Sequence, residues 1–326
     1  MGVTAGSARL RGWWRSEILV LAYHRVLDLD ADPEFDFDPD LVSASTADFA
    51  WQMRYLAENY NPIGFQRLVE ALDGRAPLPP RPVIVTFDDG FDDNYRNAFP
   101  ALKAAGVPAV FFVSTGYLGG TEPFWFDWTY RLCLEAARRG EPVRVGAREW
   151  RIGSRDPSNG FRQVMRALWQ LPDRERRRAV ERIERALGVT RPAEGFARSR
   201  PMTWEQVEEM AAAGMEFGSH AVSHPILTRL EADELNRELR ESKAVLEARL
   251  RRPVLAVAYP VGQRFAYDHR VQAAARDAGY RFGVAYTSGT NRLPLADPYA
   301  LERLHVEREV GRAEFAAALA LPELFA

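Results

Sequence analysis

Two aspartates stand side by side at the end of an apolar run. Asp88 and Asp89 lie in the segment Thr-Phe-Asp-Asp-Gly at 86–90, directly after the apolar residues 83–85. Adjacent carboxylates repel each other when both are ionised, and the repulsion is relieved if a cation holds one while the other handles a proton. Asp-Gly is also a common turn dipeptide. The pair alone therefore leaves both a turn and a catalytic site open.

Two histidines four residues apart form a second candidate for chemistry. His220 and His224 follow the run 215–218, which has the composition of a short strand. Histidines at i and i+4 lie on one face of a helical turn, where both imidazoles can bind one metal ion. The chain has five histidines, so this spacing directly after a strand favours a metal site over two exposed side chains placed by chance.

Short apolar runs alternate with longer segments of helical period along most of the chain. This alternation predicts an α/β fold in which helices connect parallel strands. Active sites of α/β barrels lie where the strands end and their loops begin. The aspartate pair at 88–89 and the histidine pair at 220 and 224 each follow a predicted strand, which is the position such sites occupy. The predicted strands are 18–23, 82–87, 109–113, 215–218, 254–258, 282–286 and 301–306.

Helix signals fall between these strands. A helix that begins near Ser45 would carry a buried stripe at the i, i+4, i+7 spacing. Thr203 and Gln206 form a capping box, in which each side chain satisfies a free amide of the other residue. The segment 231–250 places leucines on one face and charged residues on the other. These signals predict three of the crossover helices.

The alternation is interrupted between residues 119 and 200. This stretch contains the aromatic run 124–128, a hairpin pattern around Gly146 and the arginine-rich helical run 174–187. We therefore predict a single domain over residues 1–326, with 119–200 as a mainly helical insertion packed on the barrel. The aromatic run favours core packing of the insertion over a wall that stacks on sugar rings.

The composition narrows the class of protein. A net charge of −2, from 43 basic and 45 acidic residues, gives no general attraction to nucleic acid. The only cysteine, Cys133, excludes an intramolecular disulfide. We expect a cytoplasmic protein, because no segment has the pattern of a signal peptide or approaches the ~20 apolar residues of a membrane span. Trp13 and Trp14, beside Arg11 and Arg15, leave peripheral contact with a membrane surface open.

Four segments together resemble the polysaccharide deacetylase family, the carbohydrate esterases with a NodB-like domain. They are Thr-Phe-Asp-Asp-Gly at 86–90, Ser-His-Ala-Val-Ser-His-Pro at 219–225, Ala-Tyr-Pro-Val-Gly at 258–262 and Leu-His-Val at 304–306. The segment Leu-Ala-Tyr-His-Arg-Val at 21–26 is similar to an opening motif in one branch of the family. The resemblance implies a distorted, incomplete β/α barrel and a mononuclear metal site.

The resemblance also implies a role for each matching residue. Asp89, His220 and His224 would be the metal ligands, Asp88 the general base, and His305 the acid that protonates the departing amine. Three protein ligands leave coordination positions open, as a catalytic metal site requires. Zinc fits this ligand set best, and cobalt, nickel and iron are alternatives.

The third motif departs from the commoner family pattern, in which an arginine precedes the proline turn and braces the catalytic aspartate. Ala258 stands in that neighbourhood, which puts the support of Asp88 in doubt. We expect the backbone N–H near Tyr259 to help stabilise the oxyanion, unless Tyr259-Pro260 only turns the chain. His24 ends the first predicted strand, and it either enters the same pocket and contacts the substrate or packs in the core.

The residues and the resemblance together predict a hydrolase that acts on carbon–nitrogen bonds other than peptide bonds. Its expected reaction is metal-dependent hydrolysis of the N-acetyl amide of a sugar in an oligo- or polysaccharide. One alternative is a hydrolase of a small non-peptide amide on the same fold. Another is a degenerate member that binds a glycan or a partner protein without hydrolysing it. The missing arginine favours the degenerate member, whereas the intact pairs of aspartates and histidines oppose it.

Overall fold

Seven parallel strands close into a barrel in the computed structural model, which describes residues 17–32, 34–153 and 156–325. The first strand pairs with both the second and the seventh, so the ring has no open edge. A complete β/α barrel has eight strands, and the predicted incomplete barrel is therefore confirmed. The barrel strands are β1 Glu17–Tyr23, β2 Pro82–Phe87, β3 Ala109–Val113, β4 Glu216–Ser219, β5 Ala256–Ala258, β6 Phe282–Ser288 and β7 Leu301–His305.

The register of the strands brings their carboxyl ends to one rim of the barrel. Tyr23 lies opposite Phe87, and Val113 lies opposite Ser219. Because these residues end or nearly end their strands, the residues that follow them share the rim, as the sequence predicts. The rim carries His24, Asp88, Asp89, Ser114 and His220.

Capping side chains explain where two of the outer helices begin. The hydroxyl of Ser45 accepts the Asp48 N–H and starts the helix Thr46–Asn59. Thr203 and Gln206 form the predicted capping box at the start of the helix Trp204–Ala212. The helices are α1 Thr46–Asn59, α2 Phe65–Leu72, α3 Phe99–Ala105, α4 Trp125–Arg139, α5 Pro157–Leu168, α6 Asp173–Leu187, α7 Trp204–Ala212, α8 Ala232–Leu250, α9 His269–Asp277 and α10 Arg312–Ala320.

Short elements complete the described part of the chain. Arg25–Val26 pairs with Val42–Ala44, Asn61–Pro62 pairs with β2, and Asn291–Arg292 runs antiparallel to β1. A single π-helical segment among the described residues, Asn94–Ala98, leads into α3. Short 3-10 helices occur at Leu29–Ala31, Pro39–Leu41, Ala197–Ser199, Leu227–Arg229 and Pro322–Leu324.

A second apolar core lies beside the core of the barrel. Residues 124–187 supply nearly all of it, and Phe91 joins it from the loop after β2. The predicted hairpin is present as Pro142–Val145 and Arg148–Arg151, with Gly146 in the left-handed region at φ +60°. The arginine-rich run forms α6. The division into one domain over 1–326 with an insertion at 119–200 stays a prediction.

Among the described residues, no helix has the length and apolar character needed to cross a membrane. The pair Trp13 and Trp14, for which contact with a membrane surface was left open, lies outside the described residues. The cytoplasmic location stays a prediction.

Candidate active site

Asp89, His220 and His224 come together at the rim of the barrel. Their ligand atoms all lie within 4.8 Å of one another, and the three side chains are buried. Nε2 of His224 lies 3.1 Å from Oδ1 of Asp89, and Nε2 of His220 lies 3.5 Å from the same oxygen. The structure therefore brings together the three residues that the sequence analysis placed at one metal.

The environment of the two imidazoles fits a metal ion. Nδ1 of His220 lies 2.8 Å from the carbonyl oxygen of Ala258, and because a carbonyl only accepts, the proton is on Nδ1 and the Nε2 lone pair faces Asp89. Burial lowers the pKa of His220 and of His224 to about 4. Both imidazoles are therefore neutral near pH 7, which is the form that binds a metal.

Asp89 completes a donor set for a divalent cation. Burial raises the pKa of its carboxyl group, and the neighbouring His24 opposes that rise. Nδ1 of His224 is also buried, without a hydrogen-bond partner among the described residues. A buried carboxylate facing two neutral imidazoles is costly unless a cation neutralises it. One oxygen and two nitrogen ligands suit zinc and its neighbours in the first transition series.

The chain between the two histidines is not helical, so the predicted helical turn is wrong. Ala221 and His224 have φ of +62° and +53°, in the left-handed region that side chains rarely adopt. The carboxylate of Glu238 accepts the N–H groups of Val222 and Ser223 at 2.8 and 2.9 Å. These tertiary hydrogen bonds replace the ones that a helix would have supplied, and the imidazoles converge all the same.

Arg303 of β7 forms a bidentate salt bridge with the carboxylate of Asp88. Nη1 and Nη2 donate to Oδ1 and Oδ2 at 2.8 and 2.7 Å, and Nε donates to the carbonyl of Ala285 at 2.8 Å. The exposed fractions of the two side chains are 0% for Arg303 and 3% for Asp88. Burial alone would raise the pKa of Asp88, but Arg303, followed by His220, brings it well below its usual range. Asp88 is therefore ionised and fixed in orientation.

The doubt about the support of Asp88 is thereby removed. The arginine that is missing near Ala258 is replaced by one from a different strand, and the sequence analysis overlooked it. A signal was available, because Arg303 lies between Leu301 and His305 on the same face of a predicted strand, where side chains two residues apart point the same way. An arginine at a buried strand position needs an anionic partner.

His305 stacks against Tyr286 at the side of the cavity. The two rings stack with centroids 3.7 Å apart and planes 8° apart, and Tyr286 lines the cavity whereas His305 is absent from its described lining. Burial, helped by Arg303, lowers the pKa of His305 to about 4. Its imidazole is therefore neutral near pH 7. The prediction that His305 protonates the departing amine stays a prediction.

His24 enters the pocket, which decides between the two readings of that residue. It lines the same cavity as Asp88 and Asp89, and its ring centroid lies 5.3 Å from that of Tyr286. Burial lowers the pKa of His24, and the two aspartates oppose the shift. Its role towards a substrate stays a prediction.

The backbone N–H of Tyr259 itself is engaged elsewhere, and an oxyanion contact by a backbone N–H near Tyr259 stays a prediction. Its N–H donates to the carbonyl of Val284 at 3.0 Å, as part of the pairing between β5 and β6. Its hydroxyl donates to the carbonyl of Tyr299 at 2.9 Å. The backbone N–H of Tyr259 is therefore used in the hydrogen bonding of the parallel sheet, which the sequence motif does not reveal.

A cavity of about 430 Å³ opens beside these residues. Two aromatic residues of α4 form the wall next to the histidines: Nε1 of Trp125 donates to the carbonyl of His224 at 2.9 Å, and the ring of Phe126 lies 4.8 Å from the His224 ring. Phe124 and Trp128 are buried in the second core. The aromatic run therefore serves core packing, as predicted, and also lines the cavity.

Comparison with known proteins gives one family. The sequence model described as Polysaccharide deacetylase matches residues 75–155 and 158–283. Poly-beta-1,6-N-acetyl-D-glucosamine N-deacetylase of Escherichia coli strain K12 is 35% identical over 99 residues, which are 30% of this chain and 14% of that protein. YxkH of Bacillus subtilis, assigned to the polysaccharide deacetylases, is 22% identical over 235 residues, which are 72% of this chain and 55% of that protein. The matches thus cover a small part of the first relative and about half of the second.

Solved structures share the fold at low sequence identity. The deacetylase PplD of Streptococcus pyogenes, in complex with acetate, has a TM-score of 0.59 at 19% identity, over 92% of this chain and 96% of that one. IcaB from Ammonifex degensii has a TM-score of 0.57 at 20% identity, over 94% of this chain and 96% of that one. These likenesses establish the barrel.

Proposed function

Because this chain belongs to the polysaccharide deacetylase family, we propose that it is a metal-dependent hydrolase that removes the acetyl group from the amide nitrogen of an N-acetylated sugar in an oligo- or polysaccharide. The observation that carries the proposal is the placement of an arginine-braced Asp88 beside the buried group of Asp89, His220 and His224 at one cavity. A base beside a three-ligand metal site is the arrangement that amide hydrolysis needs.

Asp89, His220 and His224 would hold a divalent cation, with zinc the best fit and cobalt, nickel or iron as alternatives. Such a cation polarises an amide carbonyl and lowers the pKa of water. The hydrogen bond from His220 to the Ala258 carbonyl keeps Nε2 directed at the site.

Asp88 accepts the proton of the attacking water. Arg303 holds both carboxylate oxygens, so the acceptor is ionised and does not rotate away. The departing nitrogen needs one proton, and Asp88 lines the cavity in which that nitrogen lies, so it can return the proton it has taken. His24 lines the same cavity and contacts the sugar beside the acetamido group.

The alternative of a degenerate family member, which binds a glycan or a partner protein without hydrolysing it, loses its main support. It rested on the absence of an arginine near Ala258, and Arg303 supplies that group from β7. The name of the Escherichia coli relative gives the first sugar to try, β-1,6-linked N-acetylglucosamine.

Metal content and acetate release test the proposal directly. We expect about one divalent metal per chain and acetate release from N-acetylglucosamine oligomers. His220→Ala and His224→Ala should lose the metal and the activity together, because each removes a ligand. His269→Ala is the matched control, since His269 is exposed at the start of α9. Full activity of the wild type after thorough chelation would refute metal dependence.

Asp88→Asn separates chemistry from metal binding. The amide keeps the size of the side chain but cannot accept the proton, so turnover should fall by roughly 10²–10⁴-fold while metal content stays unchanged. Loss of the metal in this variant would mean that the two aspartates share or exchange their roles. Unchanged acetate release with bound metal would exclude Asp88 as the base.

A further inference from the structure

The cavity extends beyond what the reacting group needs. Its volume of about 430 Å³ lies within the roughly 300–1,000 Å³ of sites that enclose a whole small molecule, whereas an acetamido group is a small part of one sugar. Trp125 and Phe126 form the wall beside His224. Another part of the lining comes from α5, from Trp169 directly after it, and from the loop after β5.

Trp169 is a fixed and partly exposed aromatic surface in this second part of the lining. Its ring packs against that of Phe265, with centroids 5.6 Å apart. Its backbone carbonyl accepts Nε of Arg229 at 3.1 Å, and its N–H donates to the carbonyl of Met165 at 2.8 Å. Nε1 is buried without an acceptor among the described residues. The position therefore offers a ring face and not a hydrogen bond.

Two polar side chains line the same cavity and are free to bind a ligand. Arg166 of α5 and Gln263 of the loop after β5 are exposed. Within the described part of the chain, neither side chain makes a hydrogen bond or an ion pair. A guanidinium group donates and a side-chain amide both donates and accepts, so the two match a ligand edge that carries hydroxyl groups.

We propose that Trp169, Arg166 and Gln263 form a subsite for a second sugar ring, next to the ring that loses its acetyl group. A pyranose ring has an apolar face, which an aromatic ring can cover, and an edge of hydroxyl groups, which the polar side chains can bind. The inference rests on the proposed function and deepens it, because it names the side chains that bind the sugar next to the reacting one.

Kinetics on substrates of two lengths test the subsite. The wild type should have a higher kcat/KM for a tetramer of N-acetylglucosamine than for the monomer. Trp169→Ala should lower kcat/KM for the tetramer by roughly two- to tenfold, the factor that an aromatic contact of this kind contributes. The same variant should leave the monomer unchanged, and Trp169→Phe, which keeps a ring face, should restore most of the loss.

Trp150→Ala is the matched control. Trp150 is also partly buried and packs against the same second core, but it lies in the hairpin and does not contribute to the described lining of the cavity. This variant should leave the ratio of tetramer to monomer activity unchanged. If Trp150→Ala and Trp169→Ala change both substrates alike, the role of Trp169 is structural and the subsite is refuted.

Binding measured without turnover separates this inference from the proposed function. Calorimetry of the tetramer against Asp88→Asn should show weaker binding when Trp169→Ala is added. If the wild type releases no acetate from any sugar, the deacetylase proposal fails, and the calorimetry still decides whether Trp169 binds a glycan. Unchanged tetramer binding in the double variant would overturn the subsite.

Discussion

A buried ion pair fixes the carboxylate of Asp88, the proposed base. Arg303 presents two N–H groups to the two oxygens of Asp88, and a third to the Ala285 carbonyl. A guanidinium fork of this kind sets the orientation of the carboxylate as well as its charge, which a lysine ammonium cannot do. In the proposed mechanism Arg303 therefore acts through Asp88 as a positioning residue.

Arg303→Lys should impair turnover without removing the metal. It keeps the positive charge but loses the fork, so Asp88 is free to rotate, and we expect kcat to fall by roughly 10- to 100-fold. Metal content, measured on the purified variant, should match the wild type. The control is Arg198→Lys, because Arg198 holds Asp32 by two hydrogen bonds at a half-exposed site elsewhere.

A double-mutant cycle shows whether Arg303 acts through Asp88. In the Asp88→Asn background, Arg303→Lys should cost little more, since the carboxylate that it orients is already gone. A loss of the same size in both backgrounds would show that Arg303 serves another part of the site.

At the scale of elements, a helix shapes the loop that holds two metal-ligand candidates. Glu238 of α8 accepts three hydrogen bonds from the turn between His220 and His224: two from backbone N–H groups and one from the Ser223 hydroxyl at 2.7 Å. The turn has left-handed residues and cannot satisfy these groups itself. Packing of α8 against β4 therefore controls the spacing of the imidazoles.

Glu238→Ala should weaken metal binding while leaving the base intact. The turn loses three hydrogen bonds, His224 becomes less fixed, and the metal dissociation constant should rise by roughly 10- to 100-fold, as for other partners behind metal ligands. Titration with a competing chelator measures the constant, and activity should return at saturating metal. Glu241→Ala, exposed on the same helix, is the control. Equal affinity in the two variants would contradict this account of the turn.

At the scale of the whole molecule, a buried aspartate lies where the second core meets the barrel. Asp127 of α4 is fully buried, and its Oδ2 accepts the Ser199 hydroxyl. Its Oδ1 and Nη1 of Arg25 are both buried without a hydrogen-bond partner among the described residues. Burial raises the pKa of Asp127 to about 7, and Arg25 opposes the rise. The carboxyl group is therefore largely neutral in the folded protein below that pH.

The contribution of Asp127 to stability should consequently fall as pH rises, whereas His220, His224 and His305, whose pKa values burial lowers to about 4, contribute in the opposite direction. The unfolded chain ionises Asp127 near pH 4 and the folded chain near pH 7, so the folded state binds more protons in between and loses roughly 1.4 kcal/mol per pH unit there. Relative to the wild type, Asp127→Asn should therefore gain roughly 1.4 kcal/mol of stability per pH unit between pH 4 and pH 7, as measured by urea unfolding of chelated protein. Asp277→Asn, at an exposed site, should follow the pH dependence of the wild type. The same pH dependence in Asp127→Asn and the wild type would contradict this role of Asp127.

The sequence by itself determined the strands and helices, and it determined which types of side chain lie at the rim of the barrel. Strand and helix signals such as the capping box at Thr203 are local. Asp88, Asp89 and His220 follow strands whose apolar runs can be recognised in the amino-acid sequence. The tertiary structure decided how side chains from distant strands meet. The salt bridge between Arg303 and Asp88, the use of the Tyr259 amide in the sheet and the stacking of His305 against Tyr286 all depend on strand register and barrel closure. No local pattern encodes that register, because it follows from packing the whole chain around one core.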